Sequence, residues 1–301
     1  MKILCIGHSS FDISAPISEY PKENFKYRIN NCLFAGGGPA ANAAYLLGKW
    51  GMNTYYAGVV GNDSYGVDIK NEFQNVNVDT TFLEIDNNSR TSTSFIIINE
   101  ENGSRTIFNA ANSRPNLKNF EFDMNPDVLL VDGHEIEASK YALNKYPNSA
   151  SIIDAGRATE EVIELCKMIK YLVCSKEFGE EVSGVNIDYN NPETLKNVYL
   201  GLKSKFPNAE VVVTLEARGA LYGIGNSIKV MPAIKKDKII DTTGAGDIFH
   251  GAFTYGVACG YDLEKIIKIS NVTAGKSVTK LGGRPSIPNL DEVLEYYEKL
   301  N

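Results

Sequence analysis

A chain of 301 residues with 43% apolar and 22% charged side chains has the composition of an ordinary globular protein, with enough apolar surface for one large core or two modest ones. Its formal net charge of -7 argues against broad binding to nucleic acid or to an anionic membrane surface, while leaving room for a local basic pocket. Cys5, Cys32, Cys166, Cys174 and Cys259 are scattered with no Cys-x-x-Cys pair, the three histidines lack metal-ligand spacing, and no apolar run approaches the roughly 20 residues that cross a bilayer. These features point to a soluble cytoplasmic protein without a structural zinc, whose N-terminus opens directly into a strand-like run.

Residues 2–7 read as the first strand, and Asp12 follows five residues after Gly7. A carboxylate accepts two hydrogen bonds and suits a polyhydroxylated ligand, although a lone acid here reads equally as a surface loop residue. Ala35-Gly-Gly-Gly-Pro-Ala-Ala-Asn-Ala-Ala-Tyr-Leu-Leu-Gly48 is a glycine turn entering a helix of small residues. Such a turn lets backbone approach a ligand, or packs a helix tightly on a sheet. Apolar runs at 59–60, 128–131, 152–153, 171–174 and 211–214 then alternate with helical periodicity, as at 162–169. This is the βαβ rhythm of a parallel, doubly wound sheet. Residues about 12–35 and 82–112 interrupt it. In the second segment Thr91-Ser-Thr-Ser-Phe-Ile-Ile-Ile98 and Arg105-Thr-Ile-Phe108 flank Asn102-Gly103, a hairpin that forms either a small accessory sheet or an edge extension of the main one. With no linker-like tract and no internal repeat, residues 1–301 are expected to form a single domain carrying these two insertions.

The most informative string is Lys238-Ile-Ile-Asp-Thr-Thr-Gly-Ala-Gly-Asp-Ile-Phe-His-Gly251. The β-branched run before Asp241 suits a strand end, the glycines permit unusual backbone angles, and helical spacing begins near Ile248, so Asp247 falls in a first helical turn. Free amides and the dipole at a helix N-terminus stabilise a phosphate and the charge spread over a transferring phosphoryl group. A carboxylate at the edge of that nest can take the proton of an attacking hydroxyl. Gly244, Ala245 and Gly246 are thus the candidate anion hole and Asp247 the candidate base. Taken alone, Gly-Ala-Gly-Asp also describes a common strand-to-helix loop with a capping acid. The absence of Gly-x-Gly-x-x-Gly after the first strand disfavours a dinucleotide-dependent dehydrogenase.

Over its whole length Asp241-Thr-Thr-Gly-Ala-Gly-Asp247 resembles the C-terminal signature of the ribokinase-like, or PfkB, sugar kinases. The 35–48 string resembles their N-terminal signature, and Val59-Val-Gly-Asn-Asp-Ser-Tyr-Gly66 recurs in the same family, so the resemblance spans essentially the whole chain. It implies a ribokinase-like three-layer α/β/α sandwich with a mostly parallel central sheet. It also implies a small β lid from segments 12–35 and 82–112 that serves as a homodimer surface. The implied reaction moves the γ-phosphoryl group of ATP, with Mg2+, to a hydroxyl of a sugar held by Asp12, Gly37, Gly38 and Asn42. Lys26, Arg90, Asn109 and His134 fall at lid or pocket positions facing the sugar, Lys26 and Arg90 where phosphofructokinase-type and sulfofructose-kinase-type members carry basic residues. The ATP side is implied for Ser175, Thr214, Glu216, Gly219 and Asn271, with Glu177 reaching magnesium through water. Glu216 replaces a family glycine, and Phe178 stands where a glutamate is usual. The loop of Asp241 and Thr243 marks a monovalent-cation site, which suggests activation by K+. Details of residues 36–40 and 241–251 are nearer the ketohexokinase and sulfofructose-kinase side than the nucleoside kinases. Two other readings stay open: a nucleoside or other non-sugar alcohol kinase of the same fold, and a non-catalytic ligand-binding protein.

Overall fold

Period-two burial builds the central layer. In β1 (Lys2–Ile6), Ile3 and Cys5 enter one apolar cluster while Leu4 and Ile6 enter a second on the opposite face. The computed structural model describes residues 1–110, 115–236 and 238–300, so Ala111 and Asn112 at the end of the second interrupting segment lie outside the described residues.

The chain continues through β2 (Ser10–Ile17), β3 (Leu33–Gly37), α1 (Pro39–Lys49), β4 (Asn53–Gly61), α2 (Ser64–Asn75) and β5 (Leu83–Asp86). Next come the hairpin strands β6 (Thr93–Asn99) and β7 (Arg105–Ala110), then β8 (Val128–Val131), α3 (Ile136–Lys145), β9 (Ala150–Ala155), α4 (Glu160–Cys166) and β10 (Tyr171–Ser175). Helices α5 (Lys176–Ser183) and α6 (Pro192–Lys205) precede β11 (Glu210–Thr214), β12 (Ala220–Ile224) and β13 (Ser227–Met231). The chain ends in α7 (Ala245–Ala258), α8 (Leu263–Ser277), the short α9 (Gly283–Ser286) and α10 (Leu290–Lys299).

Among the described residues the central sheet has nine strands in the order β13-β12-β11-β10-β9-β8-β1-β4-β5. Its pairings are parallel except at the β11–β12 and β12–β13 hairpins. The cluster holding Ile3 and Cys5 is completed by α1, α7 and α8 through Leu46, Phe253 and Ile267, and the cluster on the other face by α3, α4 and α6 through Ala142, Leu165 and Leu202. The result is a three-layer α/β/α sandwich of ribokinase-like fold, with helices covering both faces as parallel strands require.

Among the described residues the two interrupting segments meet in a four-stranded sheet ordered β3-β2-β6-β7, although β5, inside the 82–112 stretch, instead extends the edge of the central sheet. Its register sets Ala35, Asp12, Ser94 and Asn109 side by side, and the next row holds Phe34, Ile13, Phe95 and Phe108. Neighbours across strands share a face and successive residues alternate, so the polar and aromatic rows occupy opposite faces. The β6–β7 turn is closed by Gly103, whose φ of 70° favours glycine. All five cysteines are unpaired, and no helix among the described residues is long and apolar enough to cross a membrane.

Candidate active site

Ligands of open α/β sheets bind beyond the carboxyl ends of the parallel strands. That edge gathers Gly7 and His8 after β1, Asp132 after β8, Asp154 near the end of β9, Ser175 ending β10 and Thr214 ending β11. The two glycine turns converge on the same edge, because α1 and α7 pack against one another beneath it.

The second turn starts α7. Gly244 is its N-cap with φ 70°, and no side chain caps the helix. Asp247 is half-buried in the first turn and Gly246 is exposed. A Cβ on Gly246 would meet no protein atom within 4 Å, so this glycine keeps space open instead of satisfying its own backbone. Asn42, projecting from α1, donates its Nδ2–H to Asp247 Oδ2 at 2.7 Å. Burial and the neighbouring Asp154 carboxyl push Asp247 up to about 6, against the downward pull of Asn42, His250 and Arg105.

The first turn ends β3 and starts α1. Gly38 has φ 99°, and a Cβ there would lie 2.2 Å from the His8 carbonyl oxygen. A Cβ on Gly37 would fall 2.0 Å from Asp12 Oδ2, so Gly37 makes room for that carboxylate. Asp12 accepts a hydrogen bond from Ser10 Oγ at 2.9 Å. Burial raises its pKa and the Asp247 charge adds to this, while hydrogen bonds from Ser10 and Ser94 and the charge of Arg284 lower it.

Beside this pair lies a buried acid that sequence reading passed over. Asp132 accepts the backbone amides of His8 (2.8 Å), Ala40 (3.1 Å) and His134 (3.0 Å), with His134 Nδ1 at 3.2 Å. Burial alone would raise its pKa, but His134 and these amides hold it well below the usual carboxylate range. The His134 ring lies 5.1 Å from that of His8. Asp154, likewise unanticipated, faces His250 Nδ1 at 3.2 Å, and His250 also contacts the carbonyls of Gly246 at 2.7 Å and Val173 at 3.1 Å. The signal available for both acids was a single carboxylate closing an apolar strand.

The remaining expected residues divide. Arg90 lines a cleft of about 230 Å³ with Ser9, Val59, Val60, Tyr65, Thr91, Ser92 and Phe95, in which the Ser9 and Ser92 hydroxyls have no hydrogen-bond partner among the described residues. Lys26 is exposed, and Asn109 is exposed although in register with Ser94. Thr214 donates its hydroxyl to the Cys174 carbonyl at 3.3 Å, and Ser175 caps α5 by accepting the Phe178 amide at 3.1 Å. Glu177 is exposed in the first turn of α5, whereas Phe178 is a core residue.

Glu216 has φ 52°, the left-handed geometry a glycine adopts without strain, and Gly219 has φ 103° with Met231 O only 1.9 Å from where its Cβ would stand. Asn271 is not open towards a ligand: its Nδ2 donates to the carbonyls of Met231 and Pro232, both at 3.2 Å, tying α8 to the loop after β13. Asp241 accepts the amides of Thr243 (2.8 Å) and Gly282 (2.7 Å), and the buried Thr243 Oγ1 has no partner among the described residues. The β6–β7 turn reaches this loop, since Gly103 O accepts both the amide and the hydroxyl of Thr242 at 3.1 Å and Arg105 Nη1 donates to the same hydroxyl at 3.0 Å.

The short α9 sends Arg284 into the protein, where its Nε donates to Asn42 Oδ1 at 3.1 Å. The side chain is 2% exposed and pairs with Glu72 at 2.6 Å.

The profile of the pfkB family carbohydrate kinases matches residues 1–290. The chain is 26% identical to a nucleoside kinase of Methanocaldococcus jannaschii, over 99% of this chain and 97% of that one. It is also 26% identical to the ribokinase of Bacillus subtilis, over 98% and 99% of the two chains. The ribokinase structure of Arabidopsis thaliana complexed with ribose and ATP superposes with a TM-score of 0.79 at 22% identity, covering 99% of this chain and 98% of that one. The chain belongs to the pfkB family of carbohydrate kinases and is a phosphotransferase whose acceptor is an alcohol group.

Proposed function

We propose that the protein transfers the γ-phosphoryl group of ATP to a hydroxyl of a sugar, with Asp247 as general base and the amides of Gly244 to Asp247 as anion hole. The observation that carries this reading is the joint placement of Asp247 and Asp12. One carboxylate stands at an uncapped helix N-terminus beside open space, and the other stands across the site within its electrostatic reach. Asp12, Gly37, Gly38 and Asn42 would hold the sugar, and Asp247 would accept the proton of its reacting hydroxyl.

ATP would lie over the open space at Gly246 and against the left-handed turn at Glu216 and Gly219. Magnesium on the phosphates neutralises charge and keeps most of its waters, which Glu177 could meet from the first turn of α5. The unused Thr243 hydroxyl beside Asp241 supports a monovalent-cation loop there, hence activation by K+.

Arg90 and the two unpartnered serine hydroxyls in its cleft favour an acceptor with a polar or anionic extension beyond the reacting end. The same cleft also offers Val59, Val60, Tyr65 and Phe95, an apolar wall that favours a nucleoside as the second reading. The test is ADP release from Mg-ATP, with and without K+, against ribose, neutral ketoses, 6-phospho and 6-sulfo sugars, adenosine and inosine. Turnover confined to sugars supports the first reading and turnover confined to nucleosides the second. No turnover with any of them, together with acceptor binding but no ATP binding, would replace both by a ligand-binding role.

A further inference from the structure

Arg284 closes a buried relay that runs to the proposed base. Its Nη1 donates to Glu72 Oε2 at 2.6 Å and its Nε to Asn42 Oδ1 at 3.1 Å. Glu72, from α2, also accepts the Gly36 amide at 3.0 Å. A Cβ on Gly36 would stand 2.1 Å from Arg284 Nη1, so this glycine of the first signature is required by the Arg284–Glu72 pair. The rings of Phe73 and Tyr45 flank the guanidinium at 4.6 Å and 5.4 Å and hold its plane.

Guanidinium nitrogens can only donate, so the Asn42 atom facing Nε must be the carbonyl oxygen. The NH2 group of Asn42 is then turned to Asp247, where it donates to Oδ2 at 2.7 Å. Without a donor at the Nε position the carboxamide could rotate and set an oxygen against the carboxylate. That arrangement favours the protonated acid, which is useless as a base. We propose that Arg284 is a positioning residue that fixes the Asn42 carboxamide so that it donates to Asp247. This inference rests on the reading of Asp247 as base.

The other titratable and charged groups facing Asp247 are Asp154 from β9, His250 from α7, Arg105 from β7 and Asp12 from β2. All of them remain in the variants below. Glutamine carries its amide nitrogen one bond beyond Cδ, where arginine carries Nε, and methionine fills the same length without a donor. We therefore compare R284Q with R284M, both in an E72Q background that leaves no unpaired buried carboxylate. Full-length protein with 13C-labelled aspartate carboxyls is titrated by NMR, and the Asp247 signal is assigned by its loss in D247N.

The expected result is an Asp247 midpoint about one pH unit higher in E72Q/R284M than in E72Q/R284Q, the scale of one lost hydrogen bond to a carboxylate. The acid limb of kcat/KM should move with it. Coincident midpoints overturn the inference. Should thermal unfolding show that the double variants do not fold, R284K takes their place, since lysine keeps the Glu72 pair but not the planar Nε donor. Its midpoint should rise, and an unchanged one overturns the inference. Turnover retained by D247N overturns the base assignment and with it the role of Arg284, whereas loss of turnover with coincident midpoints overturns the Arg284 inference alone.

Discussion

Asp247 sits between opposing influences, and their balance would set the pH range in which it could serve as the proposed base. Burial and Asp154 raise its proton affinity to about 6, and Asn42, His250 and Arg105 keep it from rising further. A general base acts only when deprotonated, so kcat/KM should be level above about pH 7 and fall about tenfold per unit below pH 5. A pH profile of ADP release measures this directly, and a flat profile between pH 5 and 8 contradicts the assignment. D247A should lower turnover about 10² to 10⁴-fold while acceptor binding, followed by calorimetry, is largely kept. Gly246 allows a complementary test. Since no protein atom lies within 4 Å of a Cβ there, G246A should fold as stably as the parent or gain up to about 1 kcal/mol from helix propensity. Its turnover should nevertheless fall tenfold or more, because the added methyl takes space meant for the phosphoryl group. Unchanged turnover would mean that the transferring group lies elsewhere.

At the scale of elements, what the sequence makes legible is what one turn contains. The glycine turn, the helix start after it and the acid in the first helical turn lie within seven consecutive residues, so spacing and residue type suffice to place Asp247 at a helix N-terminus. The strands are similarly legible where the apolar run is short and complete, as in β8, whose four residues are all buried. The contacts of Arg284 with Glu72 and Asn42 are not, because the partners lie 212 and 242 residues apart and nothing in the local string Gly-Gly-Arg-Pro-Ser distinguishes a buried arginine from an exposed one. The 216–219 turn shows a further limit: glutamate in place of a glycine suggests a changed loop, yet the backbone at Glu216 keeps a left-handed φ of 52°. The tertiary frame imposes this geometry, and the glutamate bears a strain of about 1–2 kcal/mol. E216G should therefore leave stability within about 1 kcal/mol, relief of strain offsetting the freedom glycine gains when unfolded. G219A should lose about 3 kcal/mol or more, since φ is 103° and a Cβ would stand 1.9 Å from Met231 O. Chemical denaturation of the two variants separates these outcomes, and equal losses would refute the role given to the turn.

The whole molecule places two sheets at different tasks, and the smaller one has more apolar surface than a monomer needs. Its polar row, Asp12, Ser94 and Asn109, lies opposite the face bearing Phe34, Phe95 and Phe108, which are 57%, 49% and 57% exposed. A contiguous aromatic row is unlike the scattered apolar residues of a typical surface and marks an interaction face. We propose that a second copy of the chain covers it, since a two-fold contact between identical sheets buries the same row from both sides. Such pairing would also brace the hairpin whose Gly103 carbonyl accepts from Thr242, just ahead of the α7 N-terminus. Sedimentation velocity at micromolar concentration should then report a dimer, and F34D/F108D should sediment as a monomer, because two carboxylates per subunit would be buried against their own copies. The same variant should show a raised KM for the acceptor with its secondary structure unchanged by circular dichroism. A parent chain that sediments as a monomer, or a double variant that remains dimeric, would remove the lid from the interface and leave the aromatic row facing solvent for another reason.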